Sequence, residues 1–239
     1  SLRNQILNNK IKSIVSNHYR IPLAEVLYDA KHGKHTHFEL ITVEITLESN
    51  LTGIGYTYTG GKGGSAIHHL LVDDLAPALV GQEADKVEQL WKMLNWHVHF
   101  VGRGGVTSFA IAALDIALWD LRAKSEQLPL WKLLGGNQTE VRAYAGLIDL
   151  NYSMEREQEV IAEKLEQGYR GIKIKIGLDD LERDIQRTRS IRNLIPSDIE
   201  FMVDANMKWN VQDAIWIGKA MEDLSVTWFE EPTLPDDFT

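Results

Sequence analysis

The chain has 239 residues, 34 of them acidic and 25 basic, for a formal charge of −9. Its basic residues are interspersed with acidic ones, which argues against a nucleic-acid surface, because phosphate binding needs clustered Lys and Arg. No apolar run approaches the roughly 18 residues of a membrane span, and the absence of cysteine removes disulfide and thiolate chemistry. The start, Ser1-Leu2-Arg3-Asn4-Gln5, does not lead into a signal-peptide core, so the expected compartment is the cytoplasm.

Three apolar or alternating runs, Ile11 to Val15, Phe38 to Leu47 and Gly53 to Thr59, predict an antiparallel sheet with one covered face. The largely polar stretch Ala24 to His37 between the first two is expected to be a long mobile loop. Within it, His32, His35 and His37 raise the question of a zinc site, but the polar surroundings favour a loop. Gly60-Gly61-Lys62-Gly63-Gly64 ends the third strand. It is not a P-loop, since Lys62 is followed by Gly63 rather than Ser or Thr.

From residue 65 to 135 the texture is helical. Asp85 to His97 places Val87, Leu90, Trp91 and Leu94 at amphipathic spacing. His97-Val98-His99 reads as structural. Gly102-Arg103-Gly104-Gly105 reads as a tight connection, although a helix N-terminus there could hold an anion. Thr107 or Ser108 is expected to cap a helix running to about Lys124. This helix is apolar nearly all round and rich in Ala, so it should be buried and closely packed.

After about Val141, short β runs alternate with helices. Strands are expected at Val141 to Ile148, Gly171 to Ile176, Glu200 to Asp204 and Val226 to Glu230. Helices are expected near Met154 to Gln167, Asp179 to Asn193 and Val211 to Asp223. The repeat is about 30 residues, one β–α unit, which predicts a parallel sheet or barrel. A (β/α) barrel of eight units takes about 250 residues. Only 99 follow residue 140 (239 − 140), so the expectation is the first four strands, in a truncated chain. The fold class is α/β: an N-terminal α+β capping domain over residues 1–138, then the first half of a TIM-type barrel over residues 139–239.

The chemistry-bearing residues fall at equivalent places in these units. In Gly171-Ile172-Lys173-Ile174-Lys175-Ile176 the period of two puts the isoleucines on one face and both lysines on the other. In a half-exposed sheet that would mean only charges turned to water. In a parallel α/β sheet both faces are covered, so the lysines would point into the barrel. Asp204 and Asn206 share a face at the end of the third strand, and Glu230-Glu231-Pro232 ends the fourth. Singly, Asp204 could be a helix cap and Glu230 a loop charge. In register at strand carboxyl ends, where barrels place their catalytic groups, the set reads as one site.

Lys173-x-Lys175, Asp204-x-Asn206 and Glu230-Glu231-Pro232, with the helical run Ala113-Leu114-Asp115-Ile116-Ala117-Leu118-Trp119-Asp120, resemble the mandelate racemase group of the enolase superfamily, within the mandelate racemase/muconate lactonizing enzyme family. The resemblance spans essentially the whole chain. It implies Mg²⁺ held by Asp204 and Glu230, with Glu231 structural. It implies Lys175 as base, Lys173 polarising a substrate carboxylate, and Asn206 donating a hydrogen bond to substrate. The ion would stabilise the ene-diolate formed when the α-proton leaves. A lysine base must be largely neutral, and a nearby cation and second ammonium favour that form.

The family's third metal carboxylate and its His–Asp dyad have no counterpart before residue 239, so the chain alone is expected to bind Mg²⁺ weakly and to be inactive. The leading expectation for the complete site is acid-sugar dehydration of the galactarate or talarate type, with racemisation or epimerisation as the alternative. The expected partners are a small acid-sugar carboxylate and further copies of the chain, with no membrane and no nucleic acid. Two rivals remain: a Schiff-base aldolase using Lys173 or Lys175, and a fragment without turnover.

Overall fold

The computed structural model describes residues 9–237. They group into two compact units, residues 9–23 with 37–138 and residues 24–36 with 139–237. No helix among the described residues is long and apolar enough to cross a membrane.

The first unit is built on a three-stranded sheet of order β1-β2-β3, formed by Ile11–Asp29, Gly33–Leu47 and Thr52–Thr59. β2 and β3 pair antiparallel, with Val43 opposite Gly55 and Ile45 opposite Gly53. Ile41, Val43, Ile45 and Leu47 alternate into the core, as the period of two requires. The stretch expected to be a loop is instead the end of a long hairpin, since β1 runs to Asp29 and β2 starts at Gly33. Most of β1 is exposed or half-buried along its length. Its backbone pairing, not an apolar face, makes it a strand, so hydrophobic alternation had nothing to report there. Gly33 takes φ 74° at the turn, a left-handed conformation that glycine adopts without steric cost.

Helix α1 (Gly64–His69) continues through a π-helical turn (Leu70–Leu75) into α2 (Ala76–Leu79), and α3 covers Val87–His97. His99 closes the end of α3 by stacking on Trp96, ring centroids 4.1 Å apart. Helix α4 (Gly105–Ser125) begins two to three residues before the expected caps. Its N-cap is Gly104, and the Thr107 hydroxyl, already inside the helix, donates to the Gly104 carbonyl at 2.8 Å. The helix backbone at Ala113 and Ala117 lies directly against Gly55 and Gly53. A methyl group added at Gly55 would lie 2.0 Å from the Ala113 carbonyl oxygen. Burial of Ala110, Ile111, Ala113, Leu114, Ala117, Leu118 and Leu121 follows from that approach. The short α5 (Leu130–Leu133) follows.

The second unit holds a four-stranded parallel sheet in sequential order: β4 (Ala145–Gly146), β5 (Gly171–Lys175), β6 (Glu200–Asp204) and β7 (Trp228–Glu230). Helices α6 (Met154–Glu166), α7 (Leu181–Leu194) and α8 (Val211–Asp223) connect them. Each starts on a side-chain cap, from Ser153, Asp180 and Asn210 respectively, which satisfies orphan N–H groups of the first turn. The first strand is much shorter than the expected Val141 to Ile148, because β4 is an edge strand and only β5 pairs with it. Val141 is 87% exposed. Ile172, Ile174 and Ile176 join Val160, Ile161, Ile191 and Ile217 in one apolar core, so the isoleucine face turns to the helices.

Residues 24–36 contribute to this second unit. Tyr152 donates its hydroxyl to Glu25 at 2.8 Å, and Asn151 donates to the Val26 carbonyl at 3.4 Å.

Candidate active site

Lys173 and Lys175 leave β5 on the face opposite its isoleucines. The parallel register sets Lys175 beside Asp204 and Asp204 beside Glu230, so groups from three strands meet at one level. Lys175 Nζ donates to Asp204 Oδ2 at 2.6 Å. Lys173 Nζ donates to Glu230 Oε2 at 2.7 Å and lies 3.6 Å from Asp204 Oδ2. The Asp204 side chain is 3% exposed and that of Glu230 35%, so the pocket has a dry end and an open end. Burial pulls the Lys173 ammonium down, but its bond to Glu230 and the charges of Glu230 and Asp204 outweigh it and hold the group above the usual lysine value.

Two aromatic residues frame the open end. Trp228 Nε1 donates to Glu230 Oε2 at 3.1 Å, the Tyr144 ring meets Trp228 edge-on at 5.2 Å, and Lys173 Nζ lies 5.7 Å from the Tyr144 centroid.

Asn206 is also in place, just past β6. Its backbone N–H donates to Asp204 Oδ1 at 2.9 Å, and its amide nitrogen donates to Glu231 Oε2 at 3.3 Å. Its Oδ1 is buried with no partner among the described residues. Asn206, Met207 and Glu231 all adopt left-handed backbone, with φ of 45°, 63° and 45°. Strained conformations of this kind persist where surrounding structure over-determines them. Here the carbonyls of Glu230 and Glu231 accept from Ala205 and Met207 at 3.0 and 2.7 Å.

Sequence reasoning missed the support beneath Lys175. Asp149, fully buried, accepts the Lys175 N–H at 2.7 Å, and Arg187 donates to the Lys175 carbonyl at 2.8 Å. Arg187 also bonds Asp149 Oδ2 at 3.1 Å and Glu157 Oε2 at 3.2 Å. The backbone N–H and C=O of Lys175 are therefore both held by one ion-pair cluster. Burial and the adjacent Asp149 push the Glu157 carboxyl up to about 9 against the pull of Arg187. The protonated form of Glu157 is thereby favoured well above the ordinary carboxyl range, and its Oε1 has no partner among the described residues. Asp184, one turn before Thr188 on α7, accepts the N–H groups of Gly177 and Leu178 at 2.6 and 3.1 Å. Burial raises its pKa in spite of those two bonds.

Comparison with known proteins gives this geometry a lineage. Residues 24–135 match the mandelate racemase/muconate lactonizing enzyme N-terminal domain, and residues 156–239 match the enolase C-terminal domain-like family. The chain belongs to the mandelate racemase/muconate lactonizing enzyme family of the enolase superfamily. It is 42% identical to a 3,6-anhydro-alpha-L-galactonate cycloisomerase of Streptomyces coelicolor, over 95% of this chain and 63% of that protein. It is 34% identical to the L-talarate/galactarate dehydratase of Salmonella typhimurium, over 89% of this chain and 54% of the relative. A crystal structure of that dehydratase with Mg and L-lyxarohydroxamate superposes with TM-score 0.91 at 31% identity, covering 95% of this chain and 60% of that one. A racemase from Streptomyces coelicolor, crystallised with magnesium, superposes with TM-score 0.93 at 42% identity, covering 95% and 64%. The chain therefore spans less than two thirds of the length of each of these relatives.

The family implies a divalent ion, and the residues present suit one. Asp204 and Glu230 offer hard oxygen donors, the type Mg²⁺ selects. They draw two ammonium charges within 3.6 Å, the charge a divalent ion would supply. The unpartnered Asn206 Oδ1 adds a buried acceptor suited to a bound hydroxyl or water.

Proposed function

We propose that this chain carries the metal- and base-bearing part of an enzyme that removes the proton α to the carboxylate of a sugar acid. Asp204 and Glu230 hold Mg²⁺, which supplies Lewis-acid stabilisation to negative charge growing on the substrate carboxylate. With the two carboxylates so engaged, Lys173 and Lys175 lose their partners and become the free nitrogen groups of the pocket. Lys175, fixed through its backbone N–H and C=O, takes the α-proton at Nζ. Lys173, nearer the open end beside Tyr144, donates to the carboxylate and keeps it in line. Asn206 meets a substrate hydroxyl. The observation that carries this reading is the convergence of two amines and two carboxyl groups from three register-matched strand ends. A Schiff-base role for either lysine fits less well, because it gives no task to the two carboxylates beside these ammonium groups, whereas a metal site uses both.

The finer proposal is β-elimination from an acid sugar, in which the oxygen on the adjacent carbon leaves once the α-proton is gone. Similarity to a talarate/galactarate dehydratase supports loss of a hydroxyl group. The 42% identity to an anhydro-galactonate cycloisomerase supports a ring oxygen as the leaving group. Racemisation shares the first half-reaction and is the second reading, favoured by similarity to the Streptomyces racemase.

The test is to incubate the whole protein and Mg²⁺ with a panel of aldonic, aldaric and anhydro-aldonic acids in D₂O, following C2 exchange and product by NMR. Exchange that is lost on chelation and in Lys175→Met is expected. Borohydride-trapped adducts with activity indifferent to chelation would reverse the assignment in favour of the aldolase.

A further inference from the structure

The hairpin end expected to be a loop brings together three groups that the active-site reading does not use. Asp29 ends β1, His32 lies in the turn, and His35 is the third residue of β2. Asp29 Oδ2 lies 3.0 Å from His32 Nδ1 and 2.7 Å from His35 Nε2. Among the described residues, this is the one group of three or more His, Asp or Glu whose ligand atoms all lie within 4.8 Å of one another.

The carboxylate is aimed. Its other oxygen, Oδ1, accepts the backbone N–H groups of Lys31 and His32 at 3.1 and 2.7 Å, which locks the side chain and leaves Oδ2 to the imidazoles. Asp29 is 8% exposed. Burial pushes its carboxyl up, but the bonds from His35 and His32 prevail and hold it below the usual carboxylate value. The His32 side chain is 50% exposed and that of His35 11%, so one ligand is pre-set and the other can swing in from water. Tetrahedral Zn²⁺, with bonds of about 2.0–2.1 Å, needs ligand atoms about 3.3 Å apart. The separations from Oδ2, 3.0 and 2.7 Å, are a few tenths of an ångström shorter than that.

We infer that Asp29, His32 and His35 form a binding site for a divalent transition-metal ion of the zinc class, separate from the Mg²⁺ site at Asp204 and Glu230. Two imidazole nitrogens and one carboxylate suit zinc, cobalt or nickel, whereas Mg²⁺ prefers an all-oxygen shell. Binding replaces the two imidazole protons now donated to Oδ2 and leaves a fourth position for water. It cross-links the two sides of the hairpin turn.

Co²⁺ serves as the probe, added to the protein in excess Mg²⁺ and read by its visible absorption and by calorimetry, with Zn²⁺ as competitor. One Co²⁺ per chain, with a d–d spectrum of low coordination number and displacement by Zn²⁺, is expected. His32→Ala and His35→Gln should each weaken it at least about tenfold. Asp204→Asn with Glu230→Gln should leave it unchanged, so loss of the Mg²⁺ reading would not remove this site, nor the reverse. His32→Ala removes an exposed ring and keeps the fold testable by circular dichroism. Absence of Co²⁺ binding would make the cluster a hydrogen-bonded staple and overturn the site. So would binding that survives both histidine changes, or that vanishes with Asp204→Asn.

Discussion

Burial and the adjacent Asp149 push the Glu157 carboxyl up to about 9, far above the ordinary value of 4.5. Between those two values the folded protein holds a proton that the unfolded chain releases. The stabilisation linked to that proton is complete below about pH 4.5 and drains away as pH rises through about 9, with a slope of at most about 1.4 kcal/mol per pH unit. Glu157→Gln keeps the shape and cannot ionise. Denaturation curves at pH 5, 7 and 9 should therefore show the variant gaining on the natural protein as pH rises, and parallel pH profiles would contradict the assignment. The cluster to which Glu157 belongs was not legible in the sequence. Glu157, Asp184 and Arg187 stand among charged neighbours on helices, Asp149 follows a short strand, and burial is a fact of tertiary packing. Lys173, Lys175, Asp204 and Glu230 were legible because a period of two and a parallel sheet leave charges on a covered face no idle place.

At the scale of elements, the close approach of α4 to β3 makes the sharpest prediction. Gly55→Ala places a methyl group 2.0 Å from the Ala113 carbonyl oxygen and 2.7 Å from the Ala117 nitrogen, both backbone atoms that no rotamer change can move. Overpacking commonly costs 1–3 kcal/mol, and a clash with helix backbone belongs at or above the top of that range, about 3 kcal/mol. Chemical denaturation would measure it. A loss below about 1 kcal/mol would mean that the helix shifts freely. The Ala-rich run disclosed this tight helix from sequence, since small side chains on a buried helix imply a near neighbour. The hairpin end was hidden for the opposite reason. A two-stranded ribbon with few buried side chains is held by backbone bonds, which leave no apolar period to read. The edge strands β4 and β7 came out shorter than expected because each has one pairing partner, and apolar runs say nothing about which residues find one.

For the molecule as a whole, each unit has its own apolar core, one centred on Ile41, Leu75 and Leu114 and the other on Ile174, Ile191 and Phe201. The Mg²⁺ ligands proposed here all belong to the second. An ion that binds the folded protein alone stabilises it by mass action, by about 2.7 kcal/mol at a hundredfold excess over Kd. Thermal unfolding with increasing Mg²⁺ should therefore raise the melting temperature, and chelation should reverse the rise. Asp204→Asn cancels the shift and also destabilises the metal-free protein, because Lys175, with an 11% exposed side chain, loses its charge partner. Breaking a buried pair from one side costs roughly 3–5 kcal/mol. Glu230→Gln cancels the shift at smaller cost to the metal-free protein, since its partner Lys173 keeps Asp204 at 3.6 Å and the Glu230 side chain is 35% exposed. The order of the two variants, equal in losing the Mg²⁺ response and unequal without it, separates metal ligation from ion pairing. If Mg²⁺ still raised the melting temperature in both variants, the two carboxylates would be structural partners of the lysines and nothing more.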